Sequence, residues 1–291
     1  MRTGEGTRIR IFLQAAGLSL TAVVLLAQQP QQQQQPQTQT QQQTQPQQQK
    51  QPLQQAQQGP SPKSQQELEA LQKVKTALQA RDADGTMQAV NNVLENFPQT
   101  DYKPVLLNVG MQAAMQKGDY AQTLVWGDRV IQNNPNEVPA RILLAEDIAE
   151  HTRENDLDKE QNLKKVEDYA NKGLDLLKSA NEAPAGLPPD KWTDYKNQLS
   201  GQAHDALGLA ADLRKQYPDA IGHFKNAISS DPSSVTTAHL AKAYVDNKQY
   251  DDAISTADKV LAMNEVPPSV KQYAEQQKAT ATKLKTQPNK P

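Results

Sequence analysis

The sequence predicts an all-α chain built as a solenoid of about five helical hairpins and closed by a C-terminal helix. Three observations lead there. Apolar and small residues recur every three or four positions over 64–285, with short turns and closing prolines between the runs. The pattern itself steps along the chain by 33 or 34 residues in its best-formed part. The composition, 36% hydrophobic and 4% aromatic over 291 residues, is thin for a conventional globule. A repeat array tolerates such a composition because each unit buries modest area against its neighbours.

The best-formed stretch is 201–234, GQAHDALGLAADLRKQYPDAIGHFKNAISSDPSS. Leu207, Gly208 and Ala211 lie on its first helix and Ala220, Phe224 and Ala227 on its second, closed by Pro232. Small residues stand where two helices must approach closely. This spacing resembles one tetratricopeptide repeat (TPR), with Leu207, Gly208, Ala220, Phe224, Ala227 and Pro232 in the family's slots and Ala211 where an aromatic is usual. The resemblance implies a right-handed solenoid whose first helices line a concave face that holds extended peptides or partner helices.

Taken in order, the chain opens with a basic stretch carrying Arg2, Arg8 and Arg10, followed by an apolar run over 11–27. That is the build of a secretory signal ending at Ala27, and the expected location is the periplasm, the cell envelope or outside the cell. The competing reading is an uncleaved N-terminal anchor, the one route by which the chain would meet a membrane. No Cys follows the run, which excludes a bacterial lipoprotein anchor. Over 28–58, 21 of 31 residues are Gln and four are Pro. Such a segment cannot bury enough surface to offset its ordering entropy, so 28–63 reads as a disordered linker spanning roughly 30 to 35 Å as a coil. A Gln-rich self-association segment is the alternative, weakened by the interspersed prolines.

The first hairpin carries Leu68, Leu71, Val74 and Leu78, then Met87, Val90, Val93, Leu94 and Phe97, with Asp84-Gly85 expected at the turn. The second runs from 106 to Pro135, with Gly118-Asp119-Tyr120 resembling the family's inter-helix turn. Thr123 and Gly127 replace the family's Ala and aromatic there, which predicts looser packing. The third hairpin has Leu144, Ala145 and Ile148 and then Val166, Ala170, Gly173 and Leu174, delayed by about nine residues through a polar insertion over 151–161. A proline-rich insertion over 181–189 precedes a long helix from Asp190 to about Arg214. The fifth hairpin carries Leu240, Ala241 and Tyr244, then Tyr250, Ala253, Ile254, Ala257 and Val260. Residues 270–284 form a one-sided capping helix, and 286–291 is a frayed tail.

Charge and motifs exclude several function classes. The formal charge is −2, and beyond residue 27 there remain 28 basic and 32 acidic side chains, which argues against nucleic acid. The absence of Cys removes disulfides, thiol catalysis and cysteine-ligated metals. No phosphate-binding glycine loop, metalloprotease or nucleophile-elbow motif occurs, so no catalytic residue and no cofactor is expected. His204, His223 and His239 can be neighbours across the fourth and fifth hairpins, but without Cys or a close His pair on one helix a metal site is not expected there; His151 stands apart. Asp156, Asp158 and Glu160 lack the Gly and the Glu of a calcium loop and read as a solvated insertion. Trp192 and Tyr195 are expected to pack on the third hairpin, with an exposed aromatic contact as the alternative.

What remains is a surface. The resemblance places Asn108, Gln112, Met115 and Gln116 of the second hairpin and Ile142, Glu146 and Glu150 of the third in groove-facing slots. It adds Gln202, Asp205, Leu209 and Asp212 of the fourth and Ala238, Lys242, Val245 and Asp246 of the fifth. The family's Lys, Asn and Arg carboxylate clamp is missing. Five acids against Lys242 predict an acidic groove for a basic or neutral protein or peptide, or else a face kept soluble by its charge. The reading is thus a non-enzymatic protein-binding scaffold of the cell envelope. The alternatives are a constitutive subunit of an envelope assembly using another face, and a small-molecule-binding accessory subunit of an enzyme or transporter.

Overall fold

The computed structural model describes residues 60–180, 183 and 188–286; the expected signal and most of the linker lie outside them. Among the described residues there are eleven helices and no strand: α1 (Gln65–Gln79), α2 (Ala83–Asn96), α3 (Lys103–Lys117), α4 (Tyr120–Asn133), α5 (Val138–His151), α6 (Lys159–Ser179), α7 (Pro189–Leu213), α8 (Tyr217–Ser230), α9 (Ser234–Asp246), α10 (Tyr250–Ala262) and α11 (Pro268–Thr286). Among these residues no helix is long and apolar enough to cross a membrane.

Local chemistry sets the boundaries. Ser64 caps α1 by accepting from the Glu67 amide at 3.0 Å, and the Glu67 carboxylate reaches back to the Lys63 amide at 2.6 Å. Asp82 and Asp119 cap α2 and α4 in the same way. Proline opens α3, α5, α7 and α8, where its missing N–H costs nothing. Four of the five intra-hairpin turns place one residue in the left-handed region: Arg81, Gly118, Lys215 and Lys248. Only one of the four is glycine. The first turn lies at Ala80–Asp82, and the expected Asp84-Gly85 turn is instead the first turn of α2, because Asp82 caps the helix from there.

Consecutive helices pair as antiparallel hairpins, α1/α2 through α9/α10, and each hairpin joins the next through its second helix, the third also through its first. The buried side chains form four clusters in sequence. The first spans α1 to α4 and takes Ala140, Leu143 and Leu144 from α5; the second joins α5, α6 and α7; the third runs from α7 to α11; the fourth lies among α9, α10 and α11. At roughly 1.5 to 3 kcal/mol per buried large apolar side chain, this burial outweighs the exposed ion pairs.

Glycines set the closest approaches. A Cβ on Gly208 would lie 2.5 Å from the Phe224 ring, and one on Gly110 would lie 2.4 Å from the Trp126 ring. In both hairpins the ring follows the glycine by sixteen positions. Looser packing in the second hairpin is therefore not observed. Trp126, one position before Gly127, supplies the ring and is 1% exposed, while Gly127 makes room for Leu144 of the next hairpin.

The insertions lengthen two helices. A segment at 152–158 separates α5 from the 21-residue α6, and α7 runs for 25 residues. Arg214, just after α7, ties them together by donating to Glu160 at 2.9 Å and Glu167 at 2.5 Å on α6. At the other end, Tyr102 donates to the Pro60 carbonyl, and the Lys63 ammonium reaches the Gln99 carbonyl at 2.5 Å and Asp101 at 2.8 Å. The linker thus joins the array at the loop between α2 and α3.

Candidate partner-binding groove

The first helices of the third, fourth and fifth hairpins form one side of the array. α5 packs directly along α7, and α9 along α11. Their close approach follows from small side chains: Ala145 and Ala149 on α5 share a cluster with Ala203, Ala206 and Ala210 on α7. The second helices α6, α8 and α10 have no comparable mutual packing. Between the third and fourth hairpins, helices drawn together on one side only bend the stack toward that side.

On this side three helices converge on one ammonium group. Lys242 of α9 donates to Asp212 of α7 at 2.7 Å and to Asp246, one turn further along α9, at 2.6 Å. Burial works against the lysine charge, but the two carboxylates outweigh it and hold the ammonium well above the usual lysine range. Tyr273 of α11 completes the cluster. Its phenol is pushed up to about 12 by burial, with Lys242 opposing and Asp212 and Asp246 adding to the shift.

A second polar cluster occupies the C-terminal end of α5. Asp147 lies 3.2 Å from Nδ1 of His151, whose ring stacks on Tyr120 at a centroid distance of 4.2 Å. Burial is the main reason that Asp147 is raised to about 6; His151 opposes the shift and Glu146 adds to it.

The expected groove residues divide into three sets. Asp212, Lys242 and Asp246 are brought together as described. Glu146, Glu150, Gln202 and Leu209 are half-buried on α5 and α7, and Leu209 packs against two core clusters. Asn108, Gln112 and Met115 are half-buried and Gln116 is exposed on α3, which joins α5 mainly through α4 rather than by direct packing.

Four positions depart from the expectation. Ile142, Ala238 and Val245 are core residues, turned inward because their helices need that face for the next hairpin. Asp205 is 3% exposed and lies 3.1 Å from Nδ1 of His239 on α9, so it bolts the fourth hairpin to the fifth instead of presenting an open carboxylate. With Asp205 buried and Lys242 neutralising part of Asp212 and Asp246, the five expected acids do not form one open acidic surface.

The histidines resolve into separate contacts. Nδ1 of His204 lies 3.3 Å from Nδ1 of His223, while His239 meets Asp205 and the Phe224 ring. Among the described residues no group of three or more His, Cys, Asp or Glu could hold a metal ion. Tyr195 packs against the third hairpin's cluster, with its phenol pushed up to about 12 by burial and then by Glu137. Trp192 is half-buried beside it at a ring separation of 6.1 Å. A cleft of about 510 Å³ between α2 and α4 is lined by polar groups, among them Gln88, Asn91, Asn92, Glu95 and Gln122. It lacks the apolar lining typical of small-molecule sites.

Comparison with known proteins rests on the fold. No family model and no curated protein matches the sequence. Among solved structures, MamA protein superposes with a TM-score of 0.51 at 16% identity, over 69% of this chain and 98% of that one. The thermophilic TPR protein TTC0263 of Thermus thermophilus aligns at 16% identity and a TM-score of 0.44 over 72% and 98%. A tetratricopeptide repeat protein of Parabacteroides merdae aligns at 14% identity and 0.41 over 78% and 95%. The fold is a TPR-type solenoid.

Seen as a TPR array, the paired helices gain their roles. The first helices α5, α7 and α9 are the inner row and carry the Asp212–Lys242–Asp246 cluster. The second helices α6, α8 and α10 are the outer row, and Gly208 with Phe224 is the seam that holds one row on the other. Two relationships were not read from the sequence: Tyr273 reaches the lysine cluster from the capping helix, and Asp147 carries the raised carboxyl beside Glu146. A run of three acids at 146, 147 and 150 was the available signal for the latter.

Proposed function

We propose that this chain is a non-enzymatic scaffold that binds another protein or peptide along the inner row of its TPR array. The observation that carries the reading is the row of first helices α5, α7 and α9, with α5 packed along α7 and α7 tied to α9 through Asp212 and Lys242; its half-buried polar side chains Glu146, Glu150, Gln202, Asp212 and Asp246 accompany one ammonium, Lys242. Half-buried polar groups gathered on one face can rearrange their hydrogen bonds around a ligand. The excess of carboxylates favours a basic or neutral segment, and association should weaken as salt rises.

The N-terminal sequence adds location to the reading. A basic opening, an apolar run over 11–27 and a Gln/Pro-rich stretch describe an exported scaffold held on a spacer, acting in the cell envelope. The junction at Pro60 and Tyr102 supports a tether that enters beside the α2–α3 loop, away from the α5–α9 face.

Affinity capture from an envelope extract tests both parts, with residues 60–286 as bait beside a Glu146→Lys, Glu150→Lys variant. A partner retained by the parent and lost by the folded variant is the expected result. Equal capture by both would move the interface to another face and favour the assembly-subunit reading.

A further inference from the structure

His204 of α7 and His223 of α8 meet through their Nδ1 atoms at 3.3 Å, with ring centroids 5.5 Å apart. The centroid separation is close to the nitrogen gap plus two ring radii, so the nitrogens point at each other head-on. Only one proton fits on that line. With one Nδ1–H and one lone pair the contact is a hydrogen bond; with a proton on each nitrogen two N–H groups collide. We propose that His204 and His223 form a one-proton contact that makes the fourth hairpin acid-sensitive, keeping its bond through the first protonation and losing it at the second.

The surroundings decide which ring takes the first proton. Both rings are half-buried, and burial lowers the proton affinity of each. His204 is lowered further by His223 and by Lys178 of α6. His223 faces Asp219 on its own helix and Glu167 on α6, both of which favour its charged form. From α9, His239 engages Asp205 and Phe224, one residue along from each member of the pair. His223 therefore becomes the imidazolium and donates from Nδ1 to the Nδ1 lone pair of His204, which keeps its own proton on Nε2. The contact is kept in that state, the added strength of a charged donor being offset by the cost of burying its charge. A second proton must enter beside an existing charge in a half-buried site, and it removes the only acceptor.

The sign of the stability effect follows. Both folded values lie below the unfolded value, so the unfolded chain binds more protons as pH falls through the ordinary imidazole range. Stability carried by the pair is complete above that range and is lost below it. Because α7 also bears Leu209 and Asp212, the inner row is seated on a helix whose outer contact depends on pH.

Long-range ¹H–¹⁵N correlation spectra of the labelled protein, recorded from pH 8 to 5, test this without a substitution. The expected result is that His223 titrates first, while His204 stays neutral with its proton on Nε2 to lower pH. A His223→Gln variant then removes the neighbouring charge, so the His204 midpoint should move up and the loss of thermal midpoint on acidification should shrink. Two histidines titrating together at the ordinary imidazole pH, or a His204 midpoint unmoved in His223→Gln, would overturn the proposal.

Discussion

Nδ1 of His239 lies 3.1 Å from Oδ1 of Asp205, and this pair crosses from the fourth hairpin to the fifth inside the array. A carboxylate that is 3% exposed needs such a partner, since desolvating its charge is costly. The ring of His239 also rests against Phe224 at 5.7 Å, so one histidine joins the polar bolt to the apolar seam. His239→Ala is expected to lower stability by about 1.5 to 3 kcal/mol, the range for a hydrogen bond to a charged group. Urea unfolding of the two proteins checks this, and an unchanged midpoint would remove Asp205 from the inter-hairpin contact.

The Gly208–Phe224 seam gives a second expectation. Phe224→Ala should cost about 3 to 5 kcal/mol because the ring is buried among α7, α8 and α9. Gly208→Ala places a methyl where the ring stands and should cost about 1 to 3 kcal/mol through overpacking. Made together, the two substitutions should cost less than their sum, since the truncated ring leaves room for the added methyl. Thermal midpoints of the single and double variants provide the comparison.

How far this fold was legible depended on whether a contact was local or between hairpins. The 33–34-residue step and the helix-period apolar pattern placed the hairpins, the long α7 and the capping helix, because those features repeat within one or two turns of chain. The aromatic of the second hairpin stands at Trp126, one position before the slot that Gly127 fills, and the shared spacing of Gly110 to Trp126 and Gly208 to Phe224 carries that information in the sequence. Groove slots were harder. Asp205 and Asp212 sit one heptad apart on α7, yet one is a buried bolt and the other part of the lysine cluster, a distinction set by which residue α9 brings across. No single-helix pattern contains that information.

Asp147 sets a pH dependence of opposite sign to the histidine pair. Its carboxyl is raised from 3.8 to about 6, so the folded chain binds a proton that the unfolded chain does not over that window. Its charge therefore opposes folding above pH 6, and the penalty is relieved as pH falls toward 4. Asp147→Asn should raise the thermal midpoint at pH 7.5, and the difference from the parent should vanish near pH 4. A variant less stable than the parent at pH 7.5 would mean that the contact with His151 outweighs the desolvation.

Lys248 holds a left-handed conformation at φ 61° in the turn between α9 and α10, at the position that Gly118 fills in the second hairpin. A side chain there costs about 1 to 2 kcal/mol, whereas glycine adopts the region freely. Lys248→Gly should be stabilising by about 0.5 to 1 kcal/mol after the entropy of the more flexible unfolded chain is counted. Chemical denaturation resolves a change of that size.

The most direct test of the scaffold reading is site-specific photo-crosslinking in the cells that make this protein. The crosslinking residue is placed either at Gln202 on the inner row or at Val125, which is 52% exposed on α4, the second helix of the second hairpin. The account predicts a discrete protein adduct from position 202 that is lost when Glu146 and Glu150 are changed to Lys, and none from position 125. An adduct from position 125 alone, indifferent to those two substitutions, would contradict it.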